Sequence, residues 1–553
     1  MKVLFRAAFL VAFFIFAFLS FGKNSIFSPL LLASDLSSSV ALPEIEVRAK
    51  NENTSSEKPS AFVTSVDLKP FENQVKSLPE ILSEQSGVNV HQYGGLGQFS
   101  TISIRGSSAE QVSVLIDGMK INTAQGGAVD FSSIPLDAID HVEILRGGAS
   151  AQYGSDAIGG VINILTKKAK KGQSVEFSFG GGSFGTFKSA FGYSNRKDRW
   201  SLVFNHSHLQ SEGNYSFLTT PTQIAGSTVG GGQKFTRENN QFFSENGLLK
   251  FDVQPNEKLR IKFLTDWTGG KRQVAPTEDE QILLSPKNLP EASESLLKNI
   301  SSVSVEMHSL GLQNLHLELQ PYYRYDLSHF TDPSPGLGGA IDVKYRNQSV
   351  GGKMKWSYAL DSNSAPQKLQ LQYEYRYDHF KDENRIVPTA ISGKRTRSTH
   401  SLFASDEISL FHDKLNFYPS VRYEHTSDFG SEFALHLGVK AQPFSWMGIK
   451  ANVENSYRYP NFNELFLPNQ GIIRGNPNLD PEKALNVDAG FQFQHRYGHH
   501  EVSYFYNRVK NSIIFVPISA FTIAPINTRR LNLQGLEISS VLDSWKHLSV
   551  EGN

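Results

Sequence analysis

The side chains in this sequence that could do chemistry are spaced for binding, not for bond-making. None of the 553 residues is cysteine, which excludes disulfides, thiolate metal sites and a cysteine nucleophile. No HExxH or P-loop pattern is present, so an enzyme is not expected. The glycine-rich stretch "GGLGQFS", residues 94–100, runs into a strand and not a helix, so it does not read as a phosphate cradle. What remains is charge placed on pleated backbone. Arg105 and Arg146 stand at strand ends as "RG". In "KLQLQYEYRYD", residues 368–378, Leu369, Leu371, Tyr373, Tyr375 and Tyr377 point one way, and Gln370, Gln372, Glu374, Arg376 and Asp378 the other. "KLRIKFLTDW" sets Arg260, Lys262 and Asp266 against Leu259, Ile261, Phe263 and Trp267. The polar faces suit a wet interior. The apolar faces need either a protein core or lipid.

The elements that would position these groups have two textures. Residues 61–172 read as a small α+β domain. "SLPEILSEQSG" predicts a short helix: Ser77 and Glu80 have capping-box spacing, Pro79 lies in the first turn and Gly87 can close the end. "TISIRG" and "QVSVLIDGMKIN" follow as strands, with Asp117-Gly118 as a two-residue hairpin signal. "HVEILRG" and "GGVINILTKK" are two more strands. Residues 173–553 repeat alternating strands, joined by short turns and by long polar stretches such as 210–240 and 268–300. Tilted strands of ~9–11 residues cross a bilayer, and short turns at one end with long loops at the other belong to outer-membrane barrels. The expected fold class is an all-β transmembrane barrel. A large extracellular β-sandwich or β-helix array is the alternative.

Lys2 and Arg6 precede an uncharged run from Ala7 to Phe21, the pattern of an export signal over residues 1–41, with small residues at Ser39–Ala41 for cleavage. A retained anchor is the other reading of that run. Residues 42–60 are polar and read as a flexible arm. Lys plus Arg balance Asp plus Glu, 54 against 54, so no global basic field for nucleic acid exists.

The α+β segment contains "SGVNVHQYGGLGQFSTISIRGSSAEQVSVLIDGMKIN" and "IDHVEILRGGASAQYGSDAIGGVINILTKK"; later come "SYRYPNFNELF", "GNPNLDPEKALNVDAGF" and "LNLQGLEIS". In this order they resemble the plug and barrel of TonB-dependent outer-membrane receptors over residues 43–553. "YGGLGQFSTISIRG" and "YGSDAIGGVINI" look most like the cobalamin receptors of that family. The resemblance implies a 22-stranded barrel in the outer membrane with the N-terminal plug, residues 61–172, in its lumen. The residues after the plug allow only ~16–18 strands at roughly 21 residues each. The chain therefore reads as lacking the family's last strands, and closure of the barrel stays open.

The resemblance also implies roles. Pro43, Glu44, Ile45, Glu46, Val47, Arg48 and Ala49 are similar to the TonB box, which would add as a strand to the inner-membrane partner TonB. Phe99, Thr101, Ser108, Gly126 and Gly127 match ligand-contact positions of the cobalamin receptors, and Arg105 and Arg146 would pair with barrel glutamates. The implied activity is TonB-dependent import of a scarce bulky ligand, a cobalamin first and a ferric siderophore second. Haem ranks lower, because "NFNELFLPNQGIIRG" lacks the family's haem-binding histidine and His91 stands alone. Glu212 and Glu238 are too few acids for the calcium cage of 6–8 oxygens, so no metal and no cofactor are expected. A passive porin or a surface adhesin is the competing class.

Overall fold

The computed structural model describes residue 60 onward, except residues 73, 225–226, 279, 281–290, 312–313, 334–339, 361, 363–364, 387–392, 468–472, 520–521, 546–547 and 553. The export segment and residues 43–49 lie outside the described residues.

The first domain is built on a sheet in the order Phe62–Asp67, Ile139–Arg146, Gly160–Thr166, Val112–Ile116, Met119–Lys120. Its neighbours are antiparallel except Val112–Ile116, which runs parallel to Gly160–Thr166. A separate hairpin pairs Val88–Gln92 with Ser100–Ile104. The helix Leu78–Leu82 begins with the reciprocal cap: Ser77 N donates to Glu80 at 3.1 Å and Glu80 N to Ser77 Oγ at 3.5 Å. The Asp117-Gly118 turn has φ of 45° and 78° at its two residues, the left-handed pair that a tight hairpin requires. Leu78, Ile81, Leu82, Ile104, Val112 and Ile162 are buried in one core beside this sheet.

From Gly172–Gly182 to Leu548–Gly552 the strands form a closed barrel. It comprises eighteen strand segments among the described residues. Two of them, Lys394–Ser405 and Ile408–Leu410, are one stave interrupted at Asp406–Glu407, since both pair with the same two neighbours. Closure answers the question the sequence left open. The seam runs through the short strand Leu548–Gly552, which pairs with Ser540–Trp545 of its neighbour; pairing spares the several kcal/mol that each unpaired amide costs in lipid. Short hairpins such as Lys197–Trp200 lie at one end, and long connections such as 274–292 and 459–481 at the other.

The alternation sorts as expected for a wet interior. Leu369, Leu371, Tyr373 and Tyr377 are exposed on the outside, while Asp378 is only 4% exposed. Inside, Arg376 Nε reaches Asp378 at 2.8 Å, and Arg422 reaches Glu374 at 3.2 Å and Glu424 at 3.1 Å. Glu374, Arg376, Asp378, Arg422 and Glu424 thus each meet an opposite charge, which is what lets a charged row leave bulk water.

One plug group yields a pH prediction. His141 Nδ1 lies 2.8 Å from Asp140, and Nε2 lies 3.9 Å from Glu143. The hydrogen bond to Asp140, then the nearby Glu143 carboxylate, hold the imidazole protonated up to about 9, above its ordinary 6.5. The folded value lies above the unfolded one. Its stabilising contribution is therefore complete below pH 6.5 and fades as pH rises through about 9. An NMR titration of the His141 ring should show a midpoint well above 7; a midpoint near 6.5 refutes this.

Candidate functional site

At the long-loop end the plug and the wall meet in a mouth. The loop after Gln92 closes where Tyr93 N donates to Phe99 O at 3.0 Å, and the two rings stand 5.6 Å apart. Phe99 is 38% exposed. Arg272, near the end of wall strand Leu259–Gln273, stands 5.5 Å over the Phe99 ring. Its guanidinium bridges Asp130 of the plug, at 2.7 Å, and Glu294 of the next wall strand, at 2.5 Å. Burial opposes the charge of Asp130, but Arg272 and Lys298 outweigh it and hold the carboxyl below its usual range.

Gly126 and Gly127 sit in a plug loop seated on wall residues Asn461–Asn463. Phe462 N donates to Ala124 O and Asn463 N to Gln125 O, both at 2.8 Å, and Asn461 Nδ2 donates to Gly126 O at 3.2 Å. Gly127 has φ of 73°, and a Cβ there would stand 3.3 Å from Glu110. Glycine at this position therefore serves the plug–wall seat. Gly126 meets nothing nearer than 3.7 Å and leaves its face open. Ser108 is exposed at the start of the turn Ala109–Gln111. Thr101 is buried in its strand opposite His91, which puts it out of reach of a ligand in this state. The five positions are thus divided: Phe99, Ser108 and Gly126 are at least partly open, and Thr101 and Gly127 are packed.

Sequence reading missed the cationic, aromatic part of this mouth. The Arg397 guanidinium lies 5.1 Å from the Phe462 ring, 5.4 Å from Phe429 and 6.0 Å from Tyr459, and Arg395 lies 4.8 Å from Phe466. Arg397 is also held by Asp428, with Nη2 at 2.7 Å from its carboxylate, and by Pro460 O at 2.8 Å. Stacked guanidinium groups on aromatic faces are preorganised for planar or anionic ligands. "SYRYPNFNELF" contains the aromatics, but nothing in it marks Arg395 and Arg397 as their neighbours.

Below the mouth the plug is bolted to the opposite wall. Arg105 takes φ of 54°. Its Nη1 meets Asp488 at 2.5 Å, and Nη2 meets Glu537 at 2.7 Å. The guanidinium also lies 4.5 Å from the Phe505 ring. Arg146 behaves differently. Its hydrogen bonds stay within the plug, to Ser86 O at 2.9 Å and Thr64 Oγ1 at 2.6 Å, where the sequence expectation paired it with a barrel glutamate. Burial lowers its pKa, against the longer-range attraction of the barrel carboxylates Glu537 and Glu501. Nearby, Arg458 Nε meets Glu482 at 2.6 Å, and its two terminal nitrogens fork onto Glu464 at 3.0 and 2.9 Å. Gln111 of the plug donates to the same Glu482 at 3.0 Å.

Two family models match the chain: "TonB-dependent Receptor Plug Domain" over residues 55–161 and "TonB dependent receptor-like, beta-barrel" over residues 299–553. The chain is similar to the vitamin B12 transporter of Photobacterium profundum, 25% identical over 503 residues, covering 87% of this chain and 72% of the relative. It is also similar to that of Vibrio cholerae, 26% identical over 437 residues, covering 78% and 64%. Among solved structures it resembles the siderophore receptor PirA from Acinetobacter baumannii, with TM-score 0.68, 20% identity and coverage of 88% and 79%. It likewise resembles a ferric enterobactin receptor mutant from Pseudomonas aeruginosa, with TM-score 0.69, 19% identity and coverage of 89% and 79%.

Proposed function

Because the chain belongs to the TonB-dependent receptors, outer-membrane barrels with a plug domain, we propose that it imports a bulky anionic metal chelate of the ferric-siderophore class. It is a transporter of the outer membrane and not an enzyme. The outer membrane holds no nucleotide fuel, so the work of moving the plug comes from TonB, pulling on residues 43–49 by strand addition.

The observation that carries the ligand class is the mouth. Arg272 stacks there on Phe99, Arg397 on Phe429, Tyr459 and Phe462, and Arg395 on Phe466. Arg272 and Arg397 are answered by Asp130, Glu294 and Asp428, which leaves Arg395, of these three, as the cation offered to a ligand. A ferric chelate with aromatic, oxygen-rich arms presents both negative charge and ring faces, which such a surface complements. This reverses the ranking that the sequence supports, because these arginines meet their aromatic rings only in the fold. Cobalamin is the second reading. Supporting it are the likeness to vitamin B12 transporters and the open Gly126 face, where a large ring could approach backbone.

Direct binding to the refolded protein separates the two. A ferric tris-catecholate should bind more tightly than cyanocobalamin or haemin. Arg395→Gln should weaken it by about ten- to a hundredfold, the worth of one charge-assisted hydrogen bond. Tighter binding of cyanocobalamin, with no effect of Arg395→Gln, would replace the first reading with the second.

A further inference from the structure

We infer that the imported ligand passes along one wall of the barrel, the inner face of strands Phe242–Asn256 to Leu315–Asp332, and that Met119 and Tyr322 form the gate on this route. The inference rests on the transport reading above and specifies where in the molecule transport occurs.

Two cavities lie between plug and wall on this side. The outer one, about 200 Å³, is lined by Phe99 and Arg272 of the mouth and reaches inward to Asp266, Ile300 and Arg324. The inner one, about 520 Å³, starts at Leu264, Ser302 and Gln320, extends to the short hairpin at Lys197–Trp200, and spreads beneath the plug as far as Glu374 and Arg422. On each of three neighbouring strands the two cavities are thus one inward-facing step apart or nearly so: Leu264 against Asp266, Ser302 against Ile300, and Gln320 against Arg324 with Tyr322 between. Two residues of strand are ~7 Å. The septum that fills this gap is an apolar cluster of Met119 and Ala138 from the plug with Leu248, Leu264, Ile300 and Tyr322 from the wall. It is one side chain thick.

The septum is built to yield. Tyr322 faces Gly351 across the ladder, and a Cβ on that glycine would stand 2.5 Å from the Tyr322 ring. The ring therefore lies flat on bare backbone. Met119 opens the strand after the Asp117-Gly118 turn. Within the plug that turn is held by Asp117 N to Ile164 O at 2.9 Å, Gly118 N to Asn163 Oδ1 at 3.2 Å and Thr166 N to Asp117 Oδ1 at 3.0 Å. To the wall it is tied through long lysines, Lys250 Nζ to Asp117 at 3.0 Å and Lys353 Nζ to Gly118 O at 2.7 Å. The opposite wall is different. There Gly147 and Gly148 press so close that a Cβ would come within 2.5 Å of Asp488 and 2.4 Å of Asn486. Ser150 Oγ accepts from Tyr457 N at 3.2 Å, and Ala151 N donates to Glu454 at 2.9 Å. On this wall the plug backbone presses close, with one cavity of about 160 Å³ beside Ala151 and Glu454. On the route side it meets the wall across the two larger cavities through side-chain bonds, Arg272 to Asp130 at 2.7 Å and Arg324 to Asn122 O at 2.7 Å among them, so the route side is the one with space to open.

The test is ion conductance of the purified full-length protein in planar bilayers, which needs neither ligand nor TonB. Met119→Ala with Tyr322→Ala should join the two cavities and raise mean current at least tenfold over the parent protein, whereas Tyr457→Ala, a matched void in the opposite wall, should leave it closed. Equal currents from both, or none from the septum pair, overturn the route. In case the truncated pair does not fold, two tethers in the naturally cysteine-free chain give a second arm. Met119→Cys with Tyr322→Cys, bridged by a short cleavable dithiol reagent, should stop uptake until the bridge is reduced. Ser150→Cys with Ser456→Cys, bridged likewise, should leave uptake intact. Arrest by the second bridge, or none by the first, overturns the route. Absence of uptake in every protein, unbridged ones included, would count against the transport reading alone, and conductance would still decide the path.

Discussion

Deleting residues 43–49 should abolish energised uptake and leave ligand affinity unchanged. On the proposed reading, affinity resides in the mouth, on plug and wall residues that the deletion does not touch. Release inward requires the plug to move, and the interactions against that movement are strong: Arg105 of the plug is bound to two wall carboxylates at 2.5 and 2.7 Å, and Arg272 of the wall holds Asp130 of the plug at 2.7 Å. Thermal fluctuation will rarely break several charge-assisted bonds at once, so a pulling partner is needed. Uptake of radiolabelled ligand by cells carrying the deletion, alongside its equilibrium binding to the same cells, makes the comparison. Uptake that persists would identify a passive channel, and lost binding would mean that the segment belongs to the ligand site.

Arg458→Ala should be the most damaging single substitution in the wall. Arg458 is 2% exposed and answers two buried carboxylates, Glu464 and Glu482. Removing one partner of a buried ion pair costs about 3–5 kcal/mol, because the charge left behind stays desolvated. Here two would be left. Glu464 also caps the helix Phe462–Phe466, accepting from Asn461 N at 2.8 Å, and Glu482 accepts from Ile513 N at 2.6 Å and from Gln111 of the plug. The damage should therefore reach the mouth and the plug seat together. Arg458→Lys should recover only part, since an ammonium cannot fork onto Glu464 while reaching Glu482. Heat-modifiability of the barrel on gels and protease sensitivity of the plug measure both effects. A melting point equal to that of the parent protein would show that the triad is not structural. Replacing all three residues with neutral partners should be milder than Arg458→Ala alone.

Much of the architecture was legible in the residues themselves. Alternation in "KLQLQYEYRYD" named both faces of its strand, and the observed burial follows it. Ser77 with Glu80 and Asp117 with Gly118 are local signals, and local geometry satisfied them without help from distant residues. The mouth was legible only in part. Thr101 and Gly127 sat among the expected ligand contacts, yet one is buried in a strand and the other holds a seat on the wall. A glycine in a loop reads the same whether a ligand or a neighbouring backbone needs the space.

The amino-acid sequence by itself determined the period-two strands, the hairpin and cap positions, and the division into plug and wall, since these depend on neighbours a few positions apart. Tertiary structure alone decided which charges meet. Arg105 and Arg146 both read as "RG" at a strand end. Arg105 lies in a left-handed turn and reaches Asp488 and Glu537, while Arg146 turns back to Ser86 and Thr64. Coulomb interaction depends on distance in space, and closing the barrel brings together residues hundreds of positions apart that no spacing along the chain could pair.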